Sequence, residues 1–89
     1  MQRRTCYFSG HVQGVGFRYT TEEIAGRYDV RGYVRNLRDG RVELVMEGEP
    51  AEMDKVLQTL QDRMGQFIRK TDTDASPATG EFTDFTIRH

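Results

Sequence analysis

Cysteine is almost missing from this 89-residue sequence, and Cys6 alone leaves nothing for an internal disulfide to form with. Proline is nearly as scarce, at 2 residues, and 36% hydrophobic with 30% charged residues is not the composition of a long disordered segment. No apolar run is long enough to cross a bilayer. The opening Met1-Gln2-Arg3-Arg4-Thr5 lacks the apolar core of a secretory signal, so a cytoplasmic protein with no membrane partner is expected. Histidine is limited to His11 and His89, and neither these nor Cys6 and the scattered acids fall at metal-ligand spacing, so no metal or other cofactor is expected. Net charge is also small, at -1, and a pI of 6.1 argues against a dedicated nucleic-acid binder. The charge is unevenly divided: residues 1–41 carry 8 Arg against 4 acids, residues 42–89 carry 5 Lys or Arg against 10 acids. Much of that division is ordinary surface solvation, yet it leaves the first half suited to an anionic ligand.

What is present reads as one small domain, residues 1–89, with a modest core. Cys6, Tyr7 and Phe8 within Arg4 to Gly10 suit a short first strand. Phe17, Thr21, Ile24, Ala25 and Tyr28 recur at helical spacing, predicting a first helix that ends near Asp29. Val30 to Leu37 and Arg41 to Glu47 read as strands joined through Asp39-Gly40, which accepts the positive φ of a tight hairpin, and Val42, Leu44 and Met46 should face the core. Pro50 suits the first turn of a second helix whose Met53, Val56, Leu57, Leu60 and Met64 form one stripe, with Gly65 as its stop. Gln66 to Asp72 is expected as a fourth strand, although Phe67 to Ser76 holds few apolar residues; Ala75 to Gly80 reads as a polar turn and Phe82 to Arg88 as a short last strand. This order predicts an α+β ferredoxin-like βαββαβ sandwich: an antiparallel sheet, two helices on one face and a short extra C-terminal strand.

Gly10-His11-Val12-Gln13-Gly14-Val15-Gly16-Phe17-Arg18 concentrates glycine where a helix begins and ends on a guanidinium. Glycine lets successive amides converge on an anion, the helix N-terminus adds its own, and Arg18 offers a fork matched to phosphate oxygens. Alone the pattern is weak, since many such turns only connect a strand to a helix. The P-loop motif is excluded, because neither Lys nor Ser/Thr follows Gly16, and the dinucleotide fingerprint fails at Tyr19. A cysteine-dependent phosphatase would carry its thiolate in the loop, whereas Cys6 lies back on the first strand.

A second motif, Val30-Arg31-Gly32-Tyr33-Val34-Arg35-Asn36, completes a resemblance to the acylphosphatase family. The resemblance extends through Asp39 to Glu43, Glu47-Gly48, Thr79 to Phe82 and Phe85 to Ile87, nearly the whole chain. It implies hydrolysis of small acyl phosphates, with Arg18 binding phosphate, the backbone from His11 through Val12, Gln13, Gly14, Val15, Gly16 and Phe17 to Arg18 as the cradle, and Asn36 orienting the attacking water. No side-chain role is expected for His11.

Other readings are a non-catalytic anion-binding regulatory domain, and the acylphosphatase-like domain that hydrogenase maturation proteins fuse to a carbamoyl-transfer machinery. A nucleic-acid module of the RRM type is disfavoured, because Arg41 to Glu47 offers no aromatic residue for base stacking and two carboxylates instead. A small-molecule partner and a monomer are expected.

Overall fold

The computed structural model describes residues 1–89. Nine-residue β1 (Gln2–Gly10) is an interior strand of a five-stranded sheet and is followed by α1 (Phe17–Ala25), then the hairpin β2 (Val30–Asn36) and β3 (Val42–Gly48). The second helix α2 (Pro50–Met64) passes through a 3-10 turn at Gly65–Phe67 into β4 (Ile68–Pro77), and β5 (Phe85–Arg88) closes the chain. Strand order is β4-β1-β3-β2-β5.

Alternation along the strands explains the layering. Cys6 and Phe8 of β1, Val34 of β2 and Val42, Leu44 and Met46 of β3 all point to the helix side, where they are buried against Phe17, Ile24, Met53, Val56 and Leu60. The stripes read from sequence are thus the packed faces of both helices. Gly32 is required by close approach: its φ is 147° and a Cβ there would sit 1.9 Å from the carbonyl oxygen of Val45. Glycine therefore keeps β2 against β3 without displacing Asn36 four residues on.

Several boundaries differ from the sequence expectation: β1 begins at Gln2 rather than Arg4, and Gln66 and Phe67, expected to open the fourth strand, lie in the 3-10 turn before Ile68. Helix α1 stops at Ala25, with the Gly26 amide bonding back to Glu22, and Tyr28 reaches the core from the following turn. Ala75, Ser76 and Pro77, expected in a turn, continue β4, pairing with Arg4, Arg3 and Gln2. An edge strand tolerates Pro77 because no ladder bond is lost from its solvent side. The last strand starts at Phe85 rather than Phe82 and lies parallel to β2, so the sheet is mixed at that edge.

The face away from the helices is covered by side chains and a strap. Glu43 and Glu47 on β3 are only 7% and 5% exposed. Glu43 accepts from Arg35 Nε at 2.7 Å and from the Tyr7 hydroxyl at 3.0 Å. Glu47 accepts from Arg3 Nε at 2.7 Å, the amides of Thr79 and Gly80 at 2.9 Å each, and the Thr79 hydroxyl at 3.1 Å. Those bonds fasten the segment before β5 across the sheet, where Phe82 packs edge-on to Tyr33 and Arg88 stacks over the Tyr33 ring.

Candidate active site

The loop between β1 and α1 takes its shape from Gly14 and Gly16, whose φ values are 79° and 77°; a Cβ at either would meet open space, so conformation rather than crowding requires glycine. Gly16 also serves as N-cap of α1. From Val12 to Gly16 no backbone N–H finds an acceptor within the protein. The first-turn amides of α1, including that of Arg18, are unpaired by the nature of a helix end. Unpaired donors gathered at a helix N-terminus are suited to an anion. The His11 amide, by contrast, donates to the Phe67 carbonyl at 2.9 Å, so the donor run begins at Val12, one residue later than expected from sequence.

Asn36 arrives from the other side of the cleft. As the last residue of β2 it keeps the helix-side phase of Val30, Gly32 and Val34, yet sits half-exposed where the strand runs out of core. The loop at Val12, Gly14 and Gly16, the helix start at Phe17, Arg18 and Tyr19, and Asn36 together line one cavity of about 140 Å³. Arg18 shares its Nη1 between the Arg88 carbonyl oxygen and His89 Nδ1, both at 3.3 Å, leaving Nη2 and Nε with no partner in the protein. The guanidinium is thus anchored to the end of β5 and still has two donor atoms to offer a ligand.

Three loop residues stay out of this cavity. Val15 packs on the core. His11 lies with its ring tilted against Phe67, centroids 6.4 Å apart, beside a separate hollow that also involves Gln66 and Arg69. The Gln13 carboxamide turns toward the β2–β3 connection, donating to Leu37 O at 2.8 Å and Arg41 O at 3.1 Å. It ties the loop to the turn that immediately follows Asn36. Sequence reading gave Gln13 a backbone part only; no local pattern reveals that its amide spans to a turn 24 residues on.

Tyr19 is the lining residue that sequence reading passed over. It lies off the apolar stripe of α1 and is 74% exposed, and an aromatic that the core does not claim is the signal that marks it. Cys6 is fully buried within the sheet, and burial pushes its thiol up, which suits a packed side chain and not a nucleophile. No three His, Cys, Asp or Glu side chains converge on a point suited to a metal ion.

The sequence and the fold that form this pocket have counterparts among known proteins. The family model for acylphosphatase matches residues 4–87. An acylphosphatase of Paenarthrobacter aurescens (strain TC1) is 45% identical over 86 residues, covering 96% of this chain and 92% of that protein. The crystal structure of acylphosphatase from Bacillus subtilis superposes with a TM-score of 0.90 at 26% identity, covering both chains completely. The crystal structure of T. kodakarensis HypF matches with a TM-score of 0.85 at 28% identity, over 100% of this chain but 12% of that one. A family match over nearly every residue, carried by a fold whose two motifs meet in one pocket, establishes that this chain belongs to the acylphosphatase family.

Proposed function

We propose that this chain hydrolyses the carboxyl–phosphate bond of small acyl phosphates to carboxylate and inorganic phosphate, with Arg18 and the loop amides holding the phosphoryl group and Asn36 orienting the attacking water. The observation that carries the assignment of parts is the unpaired amide run from Val12 to Gly16, ending on Arg18 and facing Asn36 in one cavity. Family membership supports the reaction.

The chemistry asks little of the protein. The leaving group is a carboxylate whose conjugate acid resembles a glutamic acid side chain, with a pKa of about 4.3, so it departs without protonation and no general acid is needed. What remains is to bind a dianion, stabilise charge on the equatorial oxygens and hold water in line. Amides and a guanidinium perform the first two tasks. The Asn36 carboxamide both donates and accepts, so it fixes the orientation of a water without titrating. Water oxygen bonds to phosphorus as the carboxylate oxygen leaves, and the water proton passes to a phosphoryl oxygen of the substrate. The enzyme acts in this reading as a cytoplasmic monomer on a freely diffusing substrate.

The deciding experiment compares an acyl phosphate with an alkyl phosphate monoester, using wild type, Arg18→Ala and Asn36→Ala. By analogy with oxyanion-hole donors, Asn36→Ala is expected to lose on the order of 3 kcal/mol of transition-state stabilisation, about a hundredfold in turnover, with phosphate inhibition retained. Arg18→Ala is expected to lose both. Full activity in Asn36→Ala removes that residue from the mechanism, and turnover of the ester alone refutes the leaving-group argument.

A further inference from the structure

The site cavity, of about 140 Å³, is lined by the loop, by Arg18 and by Asn36, the groups proposed to address phosphate and water. An acyl group attached to a phosphoryl held by them must lie against what remains of the lining. Of the side chains there, Val12 and Phe17 are buried, Arg18 and Asn36 are half-buried, and Gly14 and Gly16 offer no side chain at all. Tyr19 alone both lines the cavity and stands exposed, at 74%. Apart from Met1 at the terminus it is the one large apolar side chain so exposed on the molecule. Nothing else in the fold uses it: it makes no side-chain hydrogen bond, pairs with no other ring and lies under no guanidinium, whereas Tyr7, Tyr28 and Tyr33 are all engaged.

Granting the phosphoryl-binding role proposed for the cradle, we infer that Tyr19 is a specificity-determining residue that receives the acyl group, and that it favours acyl phosphates with an aromatic ring over those with a short alkyl chain. A phenol ring on the first turn of α1 offers a face to a group held in the cavity. An aromatic acyl group stacks on it in offset or edge-on fashion, while a methyl group covers little of the ring. The contact involves the part of the substrate that does not react, so it persists unchanged from ground state to transition state. Its loss therefore raises KM and leaves kcat in place.

The test measures kcat and KM for benzoyl phosphate and acetyl phosphate, and inhibition by inorganic phosphate, in wild type, Tyr19→Ala and Tyr19→Phe. Tyr19→Ala is expected to raise KM for benzoyl phosphate by about threefold to tenfold, with acetyl phosphate and phosphate inhibition moving less than about twofold. Tyr19→Phe keeps the ring and is expected to keep the wild-type preference. Equal behaviour of both substrates in Tyr19→Ala overturns the assignment. So does a joint loss for both substrates with weakened phosphate inhibition, which would make Tyr19 a support of the cradle. Loss of preference in Tyr19→Phe transfers the effect from the ring to the hydroxyl and overturns the stacking account. Wild type that hydrolyses neither acyl phosphate fails the hydrolase assignment itself, a result distinct from hydrolysis without a Tyr19 effect.

Discussion

Replacing Glu47 by Gln is expected to loosen the strap that carries β5, and the structure sets the size of the effect. Burial on the sheet face pushes the Glu47 carboxyl up, but the Thr79 amide, Arg3, the Gly80 amide and the Thr79 hydroxyl together outweigh it and bring it down to about 2 from an ordinary 4.5. At about 1.36 kcal/mol per pH decade, that interval corresponds to about 3 kcal/mol of folding free energy, reduced to about 2 to 3 because Arg3 and the strap remain in touch with solvent. Glutamine preserves shape but loses the charge, and its amide group must face either the Gly80 N–H or the donors gathered on the other oxygen, so one donor–donor clash is unavoidable. The folded-state value lies below the unfolded one, so the contribution is complete above about pH 5 and fades as pH falls toward about 2. Urea unfolding of wild type and Glu47→Gln at pH 7, 4 and 2.5 checks this. A gap of about 2 to 3 kcal/mol at neutral pH that shrinks on acidification is expected. A gap below about 0.5 kcal/mol at pH 7, or one indifferent to pH, refutes the account.

Two further outcomes concern the site. Gln13→Met keeps the length of the side chain but removes both bonds to Leu37 and Arg41, at about 1 kcal/mol each, and is expected to lower kcat by about fivefold to tenfold while inorganic phosphate inhibits as before; an unaltered kcat in steady-state assays refutes the tie between loop and Asn36. Turnover of an acyl phosphate is expected to vary less than about twofold between pH 6 and 8, since no imidazole or carboxylate takes part, and a bell centred near an imidazole value of about 6.5 contradicts that mechanism.

Much of this architecture was legible because its signals are local. Phe17, Thr21 and Ile24 mark a helix by spacing alone, as do Met53, Val56, Leu60 and Met64, and Asp39-Gly40 names its hairpin. Gly14 and Gly16 announce a loop that bends with positive φ, and Arg18 marks it as a candidate anion site. The strand β4 was hard to read for a physical reason: nearly all of it is exposed, so no hydrophobic rhythm records it, and its register is set by backbone pairing with β1 from Gln2↔Pro77 to Gly10↔Ile68. Glu43 and Glu47 look like solvated carboxylates in sequence. Their burial comes from Arg3, Arg35 and the strap at Thr79 and Gly80, partners up to 44 residues away that no window can join. The reach of Gln13 to the β2–β3 connection escaped for the same reason.

The long outer strand also bears on how copies of the molecule meet. Ten residues of extended backbone lie open along one rim of the sheet, an invitation for another chain to add itself. Asp72 and Asp74 stand on the same face of that rim, beside Tyr7 and Thr5. Lys70 shares that face and pairs with Asp72 at 3.5 Å, so a second chain added there would have to strip water from charged groups for almost no apolar contact in return. The polarity that hides this strand from a hydrophobic pattern thus also leaves its rim little apolar surface to offer another chain.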